Sequence, residues 1–325
     1  MQNQKPPYVS DLNKGGTDRW RMQLPNLLSA IGNTPLVGLD VGIDAHVMAK
    51  LEYLNPGGSI KDRSALYMIE RAEQVGLLKA GGTIVEASSG NQGIALAMIG
   101  AIKGYRVIIT VPERTSSAKV ATLRAYGAQV QVCKDVCGDA EPDDCHSVAV
   151  RMTAEIEGSF MPNQYFNAWN SQAHYLSTGP EIWRQTDGQL THLFVGAGSC
   201  GTITGVGRYL KEQNPNIKII GVDAENSAYS REFPLPYKNE GLGIDHPHEG
   251  LFDASVIDQI IPVSDQASFD RSRWLAKNKG FLVGPSSGGV IDALIGYASQ
   301  LKPSDYVVAM CADSGRAYLD KVFNQ

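Results

Sequence analysis

Short apolar runs rich in β-branched residues alternate along this chain with amphipathic stretches, and that alternation restricts the fold more than any other feature. "HVMAKLEYL" reads as a strand before the helix "RSALYMIERAEQVGLL", and "TIVEAS" leads into the helix "NQGIALAMIGAIKG", closed by Gly104. "RVIITVP" precedes "SAKVATLRAYG", and "QVQVC" precedes a helix around "HSVAVRMTAEIEG". After Gly158 the rhythm pauses, then resumes with "THLFVGA", "IKIIGVDA", "VIDQIIPVS" and "YVVAMCAD", with helices between them. Strands apolar throughout and separated by helices belong to parallel sheets covered on both faces. Two such series predict an α/β chain of two doubly wound domains with central, mostly parallel sheets, and an active site in the cleft at the strands' C-terminal ends. The expected division is an arm over 1–45 packing with the larger domain, a smaller mobile domain over 46–160 and a larger one over 161–325. A chain of 325 residues is long enough for both cores.

Composition removes several function classes. Apolar residues make up 43% and charged residues 19%, with a formal net charge of −5, so the chain can fold and carries no basic excess for nucleic acid or an anionic membrane. No window is apolar enough to cross a bilayer, and the polar N-terminus lacks a secretory signal's core, so a cytoplasmic location is expected. Five cysteines, an odd number, do not form a disulfide framework. Cys133, Cys137 and Cys145 cluster beside His146, but C-x3-C followed by C-H matches no common zinc module, and no metal is expected. These thiols read as incidental to a loop, with paired oxidation of Cys133 and Cys137 the lesser alternative.

The chemistry concentrates where strands should end. In "THLFVGAGSCGTITGVG", Gly196, Gly198 and Gly201 spell G-x-G-x-x-G, and Asp223 closes the next strand where a dinucleotide's ribose would want an acid. Three further loops sit at such boundaries: "NPGGSIKDR" from Asn55, "EASSGNQG" from Glu86 and "VGPSSGG" from Val283. A nicotinamide enzyme would leave Lys61, Asn91 and Ser286 without a role. Lys61 follows a glycine loop that allows close backbone approach and precedes a helix. Desolvation at such a place lowers an amine's pKa and makes it nucleophilic toward a carbonyl. Pyridoxal phosphate requires such an amine together with a separate phosphate cup, and this sequence supplies both.

The segments "IGNTPLV", "NPGGSIKDR", "SSGNQG", "GAGSCGTITG" and "GPSSGG" stand in the order seen in the cysteine synthase and cystathionine β-synthase family, pyridoxal-phosphate enzymes of the second structural type. The chain resembles that family from about Leu28 to its end, and "NQYFNAWNSQAHY" is more similar to cystathionine β-synthases than to plain cysteine synthases. The resemblance implies that Lys61 carries the coenzyme and shuttles the Cα proton. It implies a phosphate cup of Gly198, Ser199, Cys200, Gly201 and Thr202, a hydrogen bond from Asn91 to the coenzyme's phenolic oxygen, and Ser286 as the pyridine nitrogen's neutral partner. Ser88, Ser89 and Gln164 would hold the substrate carboxylate, with Gln92 beside them. The implied activity is β-replacement on L-serine or an O-activated L-serine by a thiol, either homocysteine giving cystathionine or sulfide giving cysteine. A serine/threonine dehydratase-type elimination and an amine nucleophile, as in diaminopropionate-forming synthases, are the alternatives. A homodimer with small amino-acid substrates is also implied, with Trp20 and Leu24 of the arm packing across a partner.

The chain departs from the family at identifiable positions. Gln92 stands where the family usually has threonine, which would alter the pocket's size or the amino acid admitted. Cys200 stands where the cup usually has glycine, and the expectation is a tolerated substitution. Pro285 should stiffen the segment presenting Ser286. His174, Asp245 and Asp313 are expected as structural or rim residues near the second-substrate pocket, and "SAYSREFPLPYKNEGLGIDHPHEG" as a loop able to act as a lid. The arm has no cysteine for haem ligation, and no regulatory tandem domain is expected after Gln325.

Overall fold

The computed structural model describes residues 24–134, 141–244 and 250–324; Trp20, Cys137 and Asp245 lie outside the described residues. The chain opens with the antiparallel pair β1 (Leu36–Gly38) and β2 (His46–Leu51). A first series follows: α1 (Lys61–Gln74), β3 (Thr83–Ala87), α2 (Asn91–Lys103), β4 (Arg106–Pro112), α3 (Ser117–Ala125), β5 (Gln129–Cys133), α4 (Cys145–Glu155) and β6 (Ser159–Phe160). The second comprises α5 (Ala168–Leu176), α6 (Thr178–Gln185), β7 (His192–Gly196), α7 (Gly201–Gln213), β8 (Lys218–Ala224), β9 (Gln259–Val263), α8 (Asp265–Lys279), α9 (Pro285–Gly296) and β10 (Tyr306–Cys311). Gly104 closes α2 in the left-handed region, at φ 76°, as its place in the sequence requires.

Two sheets result, a six-stranded one in the order β1-β2-β10-β7-β8-β9 and a four-stranded one in the order β5-β4-β3-β6. Among the described residues, every pairing between these strands apart from β1–β2 is parallel. The expected division at residue 46 does not follow the sheets. His46–Leu51 pairs in register with Tyr306–Cys311, so β2 belongs to the larger sheet and the smaller one starts at β3.

Strand periodicity places alternate residues in different cores. Val307, Ala309 and Cys311 of β10 pack with α8 and α9, while Val308 and Met310 pack with α6 and α7 on the other face. In the smaller sheet Ile84, Val107, Ile109 and Val111 meet α1, α2 and α3, and Val85 with Ile108 meet α4.

Each sheet reverses its winding once. In the larger, β7, β8 and β9 run outward while β10 lies on β7's other side. In the smaller, β3, β4 and β5 run outward while β6 lies on β3's other side. Crevices therefore open at the C-terminal ends of the β7/β10 and β3/β6 pairs, where doubly wound sheets bind ligands.

Candidate active site

Both crevices open into one cavity of about 990 Å³. Lys61, Ser88, Ser89, Asn91, Gln92, Gln164, Gly198, Ser199, Cys200, Thr202 and Ser286 line it. Gly201 sits just behind, where a Cβ would run into the Asn170 amide.

Lys61 is the first residue of α1, and its Nζ lies 3.1 Å from Ser199 Oγ across the cleft. Desolvation brings its pKa down to about 8, while nearby Cys200 and Glu86 oppose the shift. A buried ionic network anchors this helix. Arg63 reaches Glu52 through Nε at 2.7 Å and Glu181 through Nη2 at 2.9 Å, and Lys50 bonds Glu181 and, at 2.6 Å, the Thr34 carbonyl. Although burial works the other way, Arg63 and Lys50 hold the Glu181 carboxyl down at about 2. Thr34 Oγ1 donates to Glu52 at 2.6 Å. The "IGNTP" and "KDR" segments are thus two halves of one buried polar cluster. Asp62 completes the tie by accepting from the Gly57 amide at 2.5 Å.

The β7–α7 turn carries the segment expected to form the cup. The residue before α7, Cys200, lies in the left-handed region at φ 60° and gives the helix no side-chain cap. Orphan amides and the positive helix end are therefore left for an anion. The backbone angles of Cys200 suit glycine, so its side chain is held at a conformational cost. Its thiol is buried, which pushes its pKa up to about 12. His174 is not on the rim. It is fully buried behind the cup, with Nδ1 2.9 Å from Thr178 Oγ1 and Nε2 3.2 Å from Thr202 Oγ1, and burial keeps it neutral. Asp223 offers nothing to a ribose, because Ser227 and Ser230 donate their hydroxyls to its carboxylate at 2.8 and 2.5 Å.

The smaller crevice is finished with side chains. Ser88 Oγ accepts from the Gly93 amide at 3.0 Å, which leaves its proton free to donate. Glu86, buried at the end of β3, accepts from the Asn163 and Gln164 amides at 2.7 and 3.1 Å and so fixes the loop carrying Gln164. Desolvation raises its pKa to about 7. Gln92 is 1% exposed, and neither end of its amide has a partner. Asn170 Nδ2 joins the two crevices, donating to the Gln164 carbonyl at 2.7 Å and to Ser199 Oγ at 3.3 Å.

Sequence reasoning missed Glu52, Glu86, Asn170 and Glu181. Lys50 and Glu52 did leave a signal, as charges inside the otherwise apolar run "HVMAKLEYL". Among the described residues no group of three His, Cys, Asp or Glu side chains could hold a metal, and no helix is long and apolar enough to cross a membrane.

This donor set fits pyridoxal phosphate: an uncapped helix start with Ser199 and Thr202 hydroxyls for the phosphate, a desolvated amine for the aldehyde, and the buried Ser286 hydroxyl as a neutral group. Comparison with known proteins agrees. The family profile described as "Pyridoxal-phosphate dependent enzyme" matches residues 27–313. Over 93% of its length the chain is 41% identical to cystathionine beta-synthase of Apis mellifera, and it spans 62% of that protein. It is 39% identical to cysteine synthase B of Pseudomonas aeruginosa, with 92% of this chain and 97% of the relative covered. A solved O-ureido-L-serine synthase superposes with a TM-score of 0.88 at 33% identity, covering 93% of this chain and 96% of the other. The chain belongs to the pyridoxal-phosphate dependent enzymes, in the branch that holds the cystathionine β-synthases and cysteine synthases.

Proposed function

We propose that the protein catalyses β-replacement on L-serine or an O-activated L-serine, with a thiol as the incoming nucleophile. The observation that carries this reading is Lys61: a desolvated amine with a pKa of about 8, between a phosphate cup and a carboxylate-binding loop. Bound pyridoxal phosphate supplies an electron sink that acidifies the substrate's Cα–H and lets the Cβ substituent depart. Lys61 then takes and returns the Cα proton, a task for which a pKa near the working pH is suited. Ser88, Ser89 and Gln164 orient the substrate by its carboxylate. Ser286, a hydroxyl where a carboxylate would strengthen the sink, favours departure from Cβ over chemistry that needs a long-lived carbanion. The loop through Pro234–Gly243 lines the cavity.

A second reading, a nitrogen nucleophile, is favoured by Gln92 and Asn239. Both residues border the cavity, and both ends of each buried amide lack a partner within the protein. A matrix of serine, O-acetylserine and O-phosphoserine against sulfide, homocysteine and amino-acid amines separates the readings. Keto acid released at one rate whatever acceptor is present would overturn replacement in favour of dehydratase-type elimination.

A further inference from the structure

Asp313 follows β10, at the reversal point of the larger sheet, and its backbone is stitched to two of the loops that bear the site. Ser59, two residues before Lys61, forms an antiparallel bridge with it, and the Ile60 amide bonds the Ala312 carbonyl at 2.9 Å. The Gly284 amide, two residues before Ser286, bonds the Asp313 carbonyl at 3.1 Å. The side chain reaches a third loop: Oδ2 accepts from Asn91 Nδ2 at 2.7 Å and from Tyr318 Oη at 2.6 Å. The carboxylate is 3% exposed and packs so closely on Gly284 that any Cβ there would collide with it.

An asparagine amide has two N–H bonds at a fixed angle, and holding one fixes the direction of the other. From this arrangement we infer that Asp313 is the positioning residue for Asn91: by taking one amide proton it aims the second into the cavity, at the coenzyme's phenolic oxygen. The inference rests on the cofactor reading of the site. It gives Asp313 a more specific duty than the structural or rim role expected from the sequence. Oδ2 can accept both bonds whether or not Oδ1 carries a proton, so the device does not depend on Asp313 being ionised.

The test is the absorbance spectrum and coenzyme release rate of purified holoprotein, for Asp313→Ala, Asp313→Asn, Asn91→Ala and the Asn91→Ala/Asp313→Ala double variant. Asp313→Ala should move the coenzyme band in the same direction as Asn91→Ala and speed release about tenfold, the value of one hydrogen bond. The double variant should add little to either single one. Asp313→Asn, which can keep an oxygen facing Asn91 and Tyr318, should restore the wild-type band. Asp313→Leu, which fills the space without an acceptor, carries the same expectation as alanine should the alanine variant not fold. Independent, additive shifts overturn the inference. So does an Asp313→Asn spectrum matching that of Asn91→Ala, or a wild-type spectrum in Asp313→Ala. Wild-type protein that develops no band with added pyridoxal phosphate would instead overturn the cofactor reading itself.

Discussion

The β7–α7 turn places glycine and a left-handed Cys200 ahead of a helix with no side-chain cap, so that main-chain amides face the cavity. The β3–α2 turn has the same topology but presents Ser88, Ser89, Asn91 and Gln92, with Glu86 bracing Gln164 from behind. Packing differs accordingly. Around the cup a Cβ on Gly198 would meet the Gly241 carbonyl, one on Gly201 the Asn170 amide, and one on Gly205 the Ser171 carbonyl. At the tip of the smaller crevice Gly90 has open space around it, and crowding returns only at Gly93 inside α2, where a Cβ would meet the Ser88 carbonyl. A resident anion is suited by a rigid backbone cradle that needs no reorganisation. A substrate carboxylate that arrives and leaves at every turnover is suited by side chains that re-pair. Lys61 stands between the two and should belong to both.

The largest expected effect is therefore at that lysine. Lys61→Ala should abolish covalent coenzyme retention and lower β-replacement by at least about a thousandfold, as loss of both an attachment point and a proton carrier implies. Protein that stays yellow through dialysis would defeat this. In apoprotein, reductive alkylation of Lys61, followed by peptide mass, should show a midpoint near pH 8, far below that of surface lysines. The sign follows from desolvation: burial disfavours the ammonium, so the penalty it places on the fold is full below about pH 8 and fades as pH rises toward the unfolded value.

Gly201→Ala tests the rigid side. Its new methyl must displace Asn170, which bonds both Ser199 and the Gln164 carbonyl, and the expected cost is about 2–3 kcal/mol of apoprotein stability. Substrate and coenzyme binding should weaken together. Weakened coenzyme binding alone would show that Asn170 does not couple the crevices.

The alternation of strands and helices was readable because each strand is buried on both faces, and the loop residues because five segments recur in one order. The membership of β2 was not readable. Its partner β10 is more than 250 residues away, and no local pattern reveals a pairing at that separation. Glu86 and Asn170 escaped for a related reason: Glu86 bonds backbone amides remote in sequence and Asn170 reaches the remote Ser199 hydroxyl, so neither spacing nor residue type marks them out. His174 was visible as a polar residue on a helix, but only the fold shows that its face points at Thr202.

Gln92→Thr probes the adaptable side and should barely change the fold. If the orphaned amide serves an acceptor that both donates and accepts hydrogen bonds, the ratio of kcat/KM for nitrogen over thiol nucleophiles should fall about tenfold in the variant. An unchanged ratio would leave the amide a structural oddity and return the preference to thiols.

The smallest effect sets one residue of each crevice against the other. At Cys200 the left-handed backbone costs a residue with a Cβ about 1–2 kcal/mol, whereas glycine at the same place loses about 0.5–1 kcal/mol more chain entropy on folding. Cys200→Gly should therefore be more stable than Cys200→Ala by about 0.5–1 kcal/mol, a comparison in which the lost thiol contact with the Gly198 carbonyl cancels. At Gly90, where φ is −131°, ψ is −148° and nothing crowds a Cβ, the preference for glycine over alanine should be smaller. Chemical denaturation of the four apoproteins measures both differences. If glycine were favoured equally at the two sites, backbone strain would not be what distinguishes the cradle from the substrate loop.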